Sequence, residues 1–575
     1  MLPIRHRRWQ LRADAPLLSS ADKLADSLNI SPFLARVLCQ RGYDSIAGAS
    51  RFLEPKLSSL PDPDLLPDMD KACRRLQTAL SAGEKIIVHG DYDVDGISGC
   101  ALLVEVLRSL GGDVSYHIPL RLKDGYGLSA DAVHQAAQDG CRLIVSVDCG
   151  ISACAEALLA RELGVDLIVT DHHQPGHELP VATALVNPHL DSNQFPYPDL
   201  AGVGVAFFML IGLRKRLRQS HYFSSGGEPD LRHCLDLVAL GTIADIAPLT
   251  GVNRTLVTAG LKLLEKRPRP GIAALKRVAG VTSVNSGVVG FRLAPRLNAA
   301  GRLEDAALGV QLLLGEQADA LESLAQQLDR CNLERQALEK KVLDQAIGRI
   351  EEDTNQSSSI VLASSDWHSG VIGIVASRLV ERYHRPTFLI ALEDGIGKGS
   401  GRSIRGYDLY QALKECDDLL NGYGGHTMAA GLTINEANLT AFRQRFEAVV
   451  RARLTADMYL PTLEYDDECS LDLWSVNQVQ ELTVLGPFGA GNPQPQFVSR
   501  GCQVNYCTIV AEKHLKFSVV QKDVTLSAIA FGCADRLAEC SGTLDILYRP
   551  LINQWRGSTQ VQIQVIDFCQ AGQRS

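Results

Sequence analysis

The chain has 575 residues, 46% of them hydrophobic, and a formal net charge of −9. That length exceeds one ordinary core and points to roughly three or four domains; the acidic balance excludes nonspecific coating of nucleic acid but leaves a nucleic-acid substrate open, because acidic metal ligands inflate the total. The 15 cysteines lie singly without a C-x-x-C pair, which excludes a zinc ribbon or a disulfide framework and suits buried thiols in a reducing cytoplasm.

Arg5, His6, Arg7 and Arg8 near the start are not followed by an apolar run, and nothing later approaches ~18 uncharged apolar residues, so neither secretion nor membrane insertion is expected. Residues 1–80 read as a helical extension with proline-rich joints at Pro61, Pro63 and Pro67. From residue 85 strands and helices alternate: strands at Lys85–His89, Val114–Pro119, Arg142–Val147 and Asp166–Thr170, helices at Ile97–Leu110, Ser129–Gln138 and Ser152–Leu163. Such alternation at crossover length predicts an α/β domain over 81–315 with a mainly parallel sheet.

Three clusters of ligand-type residues close predicted strands: His89-Gly-Asp91-Tyr-Asp93-Val-Asp95, Asp148-Cys149-Gly150 and Asp171-His172-His173; a fourth contains Asp245. Each fragment alone has a plain reading, a turn at Asp95-Gly96, a helix cap at Asp148, an incidental histidine pair. At equivalent strand ends of one α/β unit they converge on one crevice. Oxygen and imidazole donors suit two divalent cations, Mn²⁺ or Mg²⁺, and phosphoryl chemistry. Cys149 is expected to pack at the strand end, since soft sulfur matches these cations poorly.

These motifs, with Leu240-Gly-Thr-Ile-Ala-Asp245 and Gly424-Gly-His426-Thr-Met-Ala-Ala-Gly431, resemble the DHH phosphoesterase superfamily and its DHHA1 companion domain. Arg121…Gly125-Tyr-Gly127, Pro295-Arg-Leu-Asn-Ala-Ala-Gly-Arg302, Trp367–Arg378 and Gly486–Pro493 resemble its branch of single-stranded-DNA-specific 5′→3′ exonucleases, over about residues 20–570. The resemblance implies one cation held by His89, Asp93 and Asp148 and another by Asp95, Asp148, His172 and Asp245, with Asp148 bridging. It also implies that His173 faces the substrate as phosphate binder or proton donor, and that Asp91 and Asp171 orient the ligands.

Glu316–Ile347 contains neither Gly nor Pro and predicts one long helix, about 48 Å, in a connecting segment 316–352. A second α/β domain is expected over 353–458, with strands Ile360–Ala363 and Thr387–Leu392 around a helix Val371–Tyr383. The glycine-rich run Gly395–Ser403 that follows fits neither G-x-x-x-x-G-K-[ST] nor G-x-G-x-x-G; as a loop it is either plainly polar and flexible, or lets backbone approach a phosphate closely while the Arg402 guanidinium grips it. There the resemblance places Ser400 and Arg402 at a terminal 5′-phosphate, with Gly424, Gly425 and His426 as further substrate contacts and Arg121, Arg296, Asn298 and Arg302 along the strand path.

Residues 459–575 predict five strands, Gln496–Val510, His514–Gln521, Thr525–Phe531, Leu544–Leu551 and Gln560–Phe568, with a short helix near Ala534–Glu539; this suits an OB-fold. Lys513, Lys516, Phe517, Tyr548, Arg549, Trp555 and Arg556 are candidates for tracking single strands. The expectation is therefore a cytoplasmic, monomeric exonuclease of DNA recombination and repair that releases 5′-mononucleotides by two-metal hydrolysis, near single-stranded-DNA-binding protein and a helicase. The rivals are a phosphodiesterase of short oligonucleotides or cyclic dinucleotides, which gives no reason for the C-terminal β-domain, and an inactive DNA-binding relative, which should have lost ligands.

Overall fold

The computed structural model describes residues 7–12, 18–121, 125–224, 227–352, 357–555 and 557–572. The chain forms two compact units. One contains Pro61–Ala247 and Leu256–Pro461; the other contains Arg8–Leu60, Pro248–Thr255 and the chain from Thr462 on.

In the first unit a five-stranded, all-parallel sheet runs in the order Asp113–His117, Lys85–Gly90, Leu143–Val147, Asp166–Thr170, Ala184–Val186. Leu143–Val147 is buried along its whole length, which explains its unbroken run of apolar residues and one serine. Ala184–Val186, only three residues long, carries no comparable signal and adds a strand to those the sequence predicts. The chain leaves Lys85–Gly90 for the neighbour on one side, Asp113–His117, and then crosses to Leu143–Val147 on the other. This reversal opens a crevice beyond the carboxyl ends of Lys85–Gly90 and Leu143–Val147. The helix Val94–Ser109 starts there, capped by Asp93, whose carboxylate accepts from the Asp95 and Gly96 amides at 2.9 and 3.2 Å. Asp95-Gly96 thus lies in the first turn of a helix and not in a free turn.

The long helix spans Ala318–Glu352 and buries a stripe including Leu321, Ala325, Leu328, Val342, Ala346 and Ile350. Arg335, which interrupts the apolar pattern, pairs with Glu339 at 3.1 Å and with Asn332 at 3.0 Å. Beyond it a second five-stranded sheet has the order Gly422–Gly425, Ala429–Asn435, Ile396–Arg402, Thr387–Glu393, Ile360–Ser364. The glycine-rich run expected as a loop is its central strand. The reason is the two-residue alternation of Gly397, Gly399 and Gly401: a Cβ on them would stand 2.7 Å from Ile390, 2.7 Å from Leu432 and 2.4 Å from Phe388, so bulky neighbours fill that bare face. Lys398, Ser400 and Arg402 occupy the opposite face.

In the second unit the strands Asp467–Glu468, Phe497–Val510, His514–Gln521, Val524–Ala530, Ser558–Gln570 and Thr543–Trp555 form one sheet that closes where Phe497–Val510 also pairs with Thr543–Trp555, giving the barrel expected of an OB-fold. The reading of 1–80 as a separate helical extension does not match this division. Arg8–Leu11 is a strand in parallel register with Thr462–Tyr465. Phe33, Leu34, Leu38 and Phe52 share a core with Leu471, Trp474, Phe497 and Phe517, with the Phe33 and Trp474 rings edge to face at 5.4 Å. Arg254, from a segment adjoining the parallel-sheet domain in sequence, donates in this unit to the carbonyls of Phe52, Leu485 and Gly486 at 2.8, 3.0 and 2.7 Å.

Candidate metal centre

The carboxylates gather at the crevice from both strand ends. Asp148 follows Leu143–Val147 in a left-handed conformation, φ 63°. Its amide donates to the Thr170 carbonyl at 2.9 Å and its carbonyl accepts from the Tyr126 hydroxyl at 3.1 Å, so both sides of the strained residue are fixed. The neighbouring backbone fits closely: a Cβ on Gly202 would stand 2.7 Å from Asp148 and one on Gly241 2.6 Å from the Asp95 carboxylate. Asp95 accepts from the Gly202 and Val203 amides at 2.6 and 3.0 Å, at the N-terminus of the helix Gly202–Gln219. Asp245 ends the helix Leu235–Ala244.

Among the described residues the donors form three overlapping groups, Asp148–His172–His173, Asp95–His172–Asp245 and Asp91–Asp93–Asp148, each within 4.8 Å. His172 Nε2 lies 3.0 Å from Asp148 Oδ1 and 3.9 Å from both Asp95 Oδ2 and Asp245 Oδ2. Burial, then the charge of His173, holds the His172 imidazolium down to a pKa of about 4, while the ring is tied to the Leu200 carbonyl. The neutral ring keeps Nε2 as an acceptor toward the cluster. Burial pushes Asp245 up to about 7 and Asp91 up to about 8, in both cases with repulsion from Asp93; burial with repulsion among Asp95, Asp93, Asp91 and Asp245 raises Asp148 well above the usual range.

The donor set fits divalent cations. Asp91 Oδ1, Asp148 Oδ1 and His172 Nε2 are buried polar atoms without a hydrogen-bond partner, three acceptors facing a concentration of negative charge that bound cations would relieve.

His89 is not part of this set. Its Nε2 lies 3.1 Å from the Gly127 carbonyl and its Nδ1 3.2 Å from His117 Nδ1, so both ring nitrogens have partners other than the carboxylates. Asp91, expected to orient ligands, instead lies with Asp93 and Asp148 in one of the three donor groups. Asp171 does have an orienting position: its Oδ1 accepts from the His172 and His173 amides at 2.7 and 3.0 Å and from His173 Nδ1 at 2.8 Å, and its Oδ2 accepts from the Ile151 amide at 3.0 Å. Burial works against protonation of His173, but Asp171 outweighs it and raises the pKa to about 9. Cys149 packs fully buried against the His89 carbonyl, its thiol pushed up by burial and then by Asp91 and Asp171.

A cationic cluster adjoins the carboxylates. The Arg121 guanidinium lies 4.9 Å from the centre of the Tyr92 ring, and Tyr92 stands between Asp91 and Asp93. Burial followed by the charges of Arg121, Arg335 and Arg402 lowers Arg302 to about 10; burial and Arg121 lower Arg402. Arg402 Nη1 donates to Ser400 Oγ at 3.2 Å, and a Cβ on Gly373, in the helix Ser369–Tyr383, would stand 2.8 Å from that Oγ. Arg121, Arg302 and Arg402 are thus close enough to feel one another's charge, a placement suited to an anion. Gly424, Gly425 and His426 are exposed, on the strand Gly422–Gly425 and the turn that follows it; that turn delivers Ala429 opposite Arg402.

Two expected strand contacts take other roles. Arg296 pairs with Asp329 of the long helix at 2.8 Å, and Asn298 accepts from the Val94 amide at 3.1 Å, fixing the start of the helix that Asp93 caps and that carries Asp95. In the second unit Phe517 and Tyr548 are core residues, and Arg549 is half-buried beside Gln494. Lys513 and Lys516 are exposed, whereas the Trp555 side chain and Arg556 lie outside the described residues. Among the described residues, the exposed aromatics of the barrel are Tyr506 and Phe531.

Family models match in three places: the DHH family N-terminal domain at residues 85–242, the DHHA1 domain at 356–452 and the RecJ OB domain at 465–567. The single-stranded-DNA-specific exonuclease RecJ of Escherichia coli (strain K12) is 38% identical over 566 residues, spanning 95% of this chain and 97% of that protein. The chain belongs to the RecJ family. The RecJ of Bacillus subtilis (strain 168) is 37% identical, over 97% of this chain and 70% of its own length. The crystal structure of RecJ in complex with Mn²⁺ from Thermus thermophilus matches with a TM-score of 0.85 and 33% identity, covering 99% of this chain and 80% of that one; the Mg²⁺ complex of the same protein matches with a TM-score of 0.79 at 31% identity.

Proposed function

We propose that this RecJ-family chain is a single-stranded-DNA-specific exonuclease of recombination and repair that uses two divalent cations, Mn²⁺ or Mg²⁺, and works from the 5′ end, releasing 5′-mononucleotides. The observation that carries the polarity is the join, through Tyr92, of the carboxylate cluster to the Arg121–Arg302–Arg402 cluster. A terminal 5′-phosphate gripped by those guanidiniums leaves the first phosphodiester at the carboxylates, so cleavage removes one nucleotide at a time.

The cations, when bound, activate water and neutralise charge on the phosphoryl oxygens. Asp91, Asp93 and Asp148 would hold one, and Asp95, Asp148, His172 and Asp245 the other, with Asp148 shared. His173, steered by Asp171, holds a proton within reach of the leaving 3′-oxygen. The exposed Lys516, Tyr506 and Phe531 of the barrel supply cation and stacking faces for longer strands. A short-oligonucleotide or cyclic-dinucleotide enzyme has no use for that barrel, and a cyclic substrate has no terminal phosphate for the arginines.

We place the protein in the cytoplasm as a monomer, beside single-stranded-DNA-binding protein and a helicase. The cysteines are unpaired, and no helix among the described residues is long and apolar enough to cross a membrane. The test is single-stranded DNA labelled at either end, incubated with Mn²⁺. Labelled mononucleotide is expected at once from the 5′ label and last from the 3′ label; the reverse order rejects the reading.

A further inference from the structure

The strand Ile360–Ser364 is one edge of the second sheet and, among the described residues, pairs only with Thr387–Glu393. The Ile360 amide donates to the Pro386 carbonyl at 2.9 Å, so Ile360 and Leu362 turn their backbone to that neighbour and Val361 turns its N–H and C=O to the open side. Side chains close both ends of this edge. At its start Glu447 accepts from the Ser358 and Ser359 amides at 2.8 and 2.9 Å and from the Ser359 hydroxyl at 2.6 Å. Toward its end Arg349 donates to the Ala363 carbonyl at 2.7 Å and to Ser364 Oγ at 3.2 Å. Between them lies a cavity of about 310 Å³, walled by Arg349 and Ile350 of the long helix and by Arg443 and Gln444 of the helix Leu439–Arg453.

The cavity is cationic. Arg349 is held over the Trp367 ring, 5.2 Å from its centre, and Arg443 is exposed and pairs with no carboxylate among the described residues. The nearby acids are already engaged: Glu447 holds the two serine amides and Arg451, the latter at 2.8 Å, and Glu351 lies 3.6 Å from Arg382. The cavity is also separate from the arginine cluster beside the carboxylates. Ile360, Thr387 and Arg402 follow one another in register across the sheet, which puts the edge two strand spacings, ~10 Å, from the Arg402 backbone.

We propose that this cavity is a second ligand site, one that takes a single 5′-mononucleotide. Arg349 and Arg443 hold the phosphate, while the adjacent donor and acceptor of Val361, with the Gln444 amide, meet the donor and acceptor groups on the edge of the base. Ile350 and Leu362, which also line the cavity, supply apolar contact for its ring. The volume lies at the ~300 Å³ lower end of small-ligand pockets, room for one nucleotide and not for a strand. A peptide fits less well, because β-addition uses a run of consecutive backbone groups and Glu447 and Arg349 leave little more than Val361 open. A mononucleotide is also what cleavage at the carboxylates releases, and in that respect the choice of ligand rests on the exonuclease reading.

The experiment is calorimetric titration of chelator-treated, full-length protein whose crevice is first filled with excess 5′-phosphorylated, non-hydrolysable single strand. The titrants are dAMP, dTMP, inorganic phosphate and a short acidic peptide. Wild type should bind one equivalent of a mononucleotide with a dissociation constant below about 1 mM. Arg443→Glu should weaken that binding about tenfold or more, as expected for a lost charge-assisted hydrogen bond, and Gln444→Ala should weaken it less. Both side chains are exposed, so both variants should keep the wild-type melting temperature and the wild-type rate on single strands. No saturable binding by strand-loaded wild type, or equal binding by Arg443→Glu, overturns the proposal. Inorganic phosphate bound as tightly as dAMP also overturns it, leaving a bare anion site, and so does binding of the peptide alone, which makes the edge a protein-docking surface. A wild type that binds dAMP in this way but hydrolyses no single strand fails the exonuclease reading and leaves the second site standing.

Discussion

His89, inside the strand Lys85–Gly90, and Asp91, just beyond it, stand two residues apart, and only Asp91 falls in a donor group. Their spacing in sequence identifies both as donors, but the ring nitrogens of His89 are claimed by Gly127 and His117, partners from distant segments that no local pattern reveals. Asp91→Ala should therefore reduce hydrolysis by about a hundredfold or more, whereas His89→Gln should cost less than tenfold; kcat on a short 5′-phosphorylated strand separates them. At the arginine cluster, Arg402→Ala should shrink the preference for phosphorylated over hydroxylated 5′ ends by roughly 1.5–3 kcal/mol, the worth of a charge-assisted hydrogen bond. An unchanged preference moves the phosphate site elsewhere. The raised carboxyls also set a pH dependence. Asp245 at about 7 and Asp91 at about 8 bind protons in the folded state that they release in the unfolded one at these pH values, so stability falls as pH rises toward those values. Chelator-stripped protein should accordingly melt at lower temperature at pH 8 than at pH 6. Mn²⁺ at a hundred times its dissociation constant should add about 2.7 kcal/mol, and more of the pH 8 melt than of the pH 6 melt should recover.

At the scale of elements, most of the parallel sheet is readable because buried strands and crossover helices leave different periods in the sequence. The strand ends then locate the crevice. Two misreadings have one cause, the neglect of period two. Gly397, Gly399 and Gly401 alternate with Lys398, Ser400 and Arg402, which marks a strand with one bare face, whereas glycine content alone suggests a loop. In the barrel, Leu515, Phe517 and Val519 alternate inward while Lys516 points out, so Phe517 belongs to the core. Tyr506 escapes that count because a bulge between Val504 and Tyr506 shifts the register. Gly401→Val should drive its side chain into the Phe388 ring and destabilise the first unit by about 1–3 kcal/mol. Differential scanning calorimetry would detect it, and an unshifted transition contradicts the packing account.

At the scale of the molecule, segments far apart in sequence share one core: Phe33, Leu38 and Phe52 with Leu471, Trp474 and Phe497. Such pairing of distant segments lies beyond any window of local periodicity, which is why residues 1–80 read as a helical extension. Truncation near Leu460 should therefore expose that core and give an aggregation-prone protein, not a clean catalytic fragment. Surface changes are the sharper probe. Tyr506→Ala with Lys516→Glu should weaken binding of long strands by about 1–3 kcal/mol per lost stacking contact and flatten its salt dependence, while sparing very short oligonucleotides; equal losses at every length contradict a strand-tracking barrel. The central claim is that one shared carboxylate, Asp148, organises two cations for hydrolysis, and its most direct test is a Mn²⁺ titration of stripped wild type and Asp148→Ala that follows bound metal and cleavage together. Wild type should gain activity as the second equivalent binds, and a folded Asp148→Ala should lose metal at both positions and cleave several orders of magnitude more slowly; near-normal cleavage by that folded variant contradicts the account.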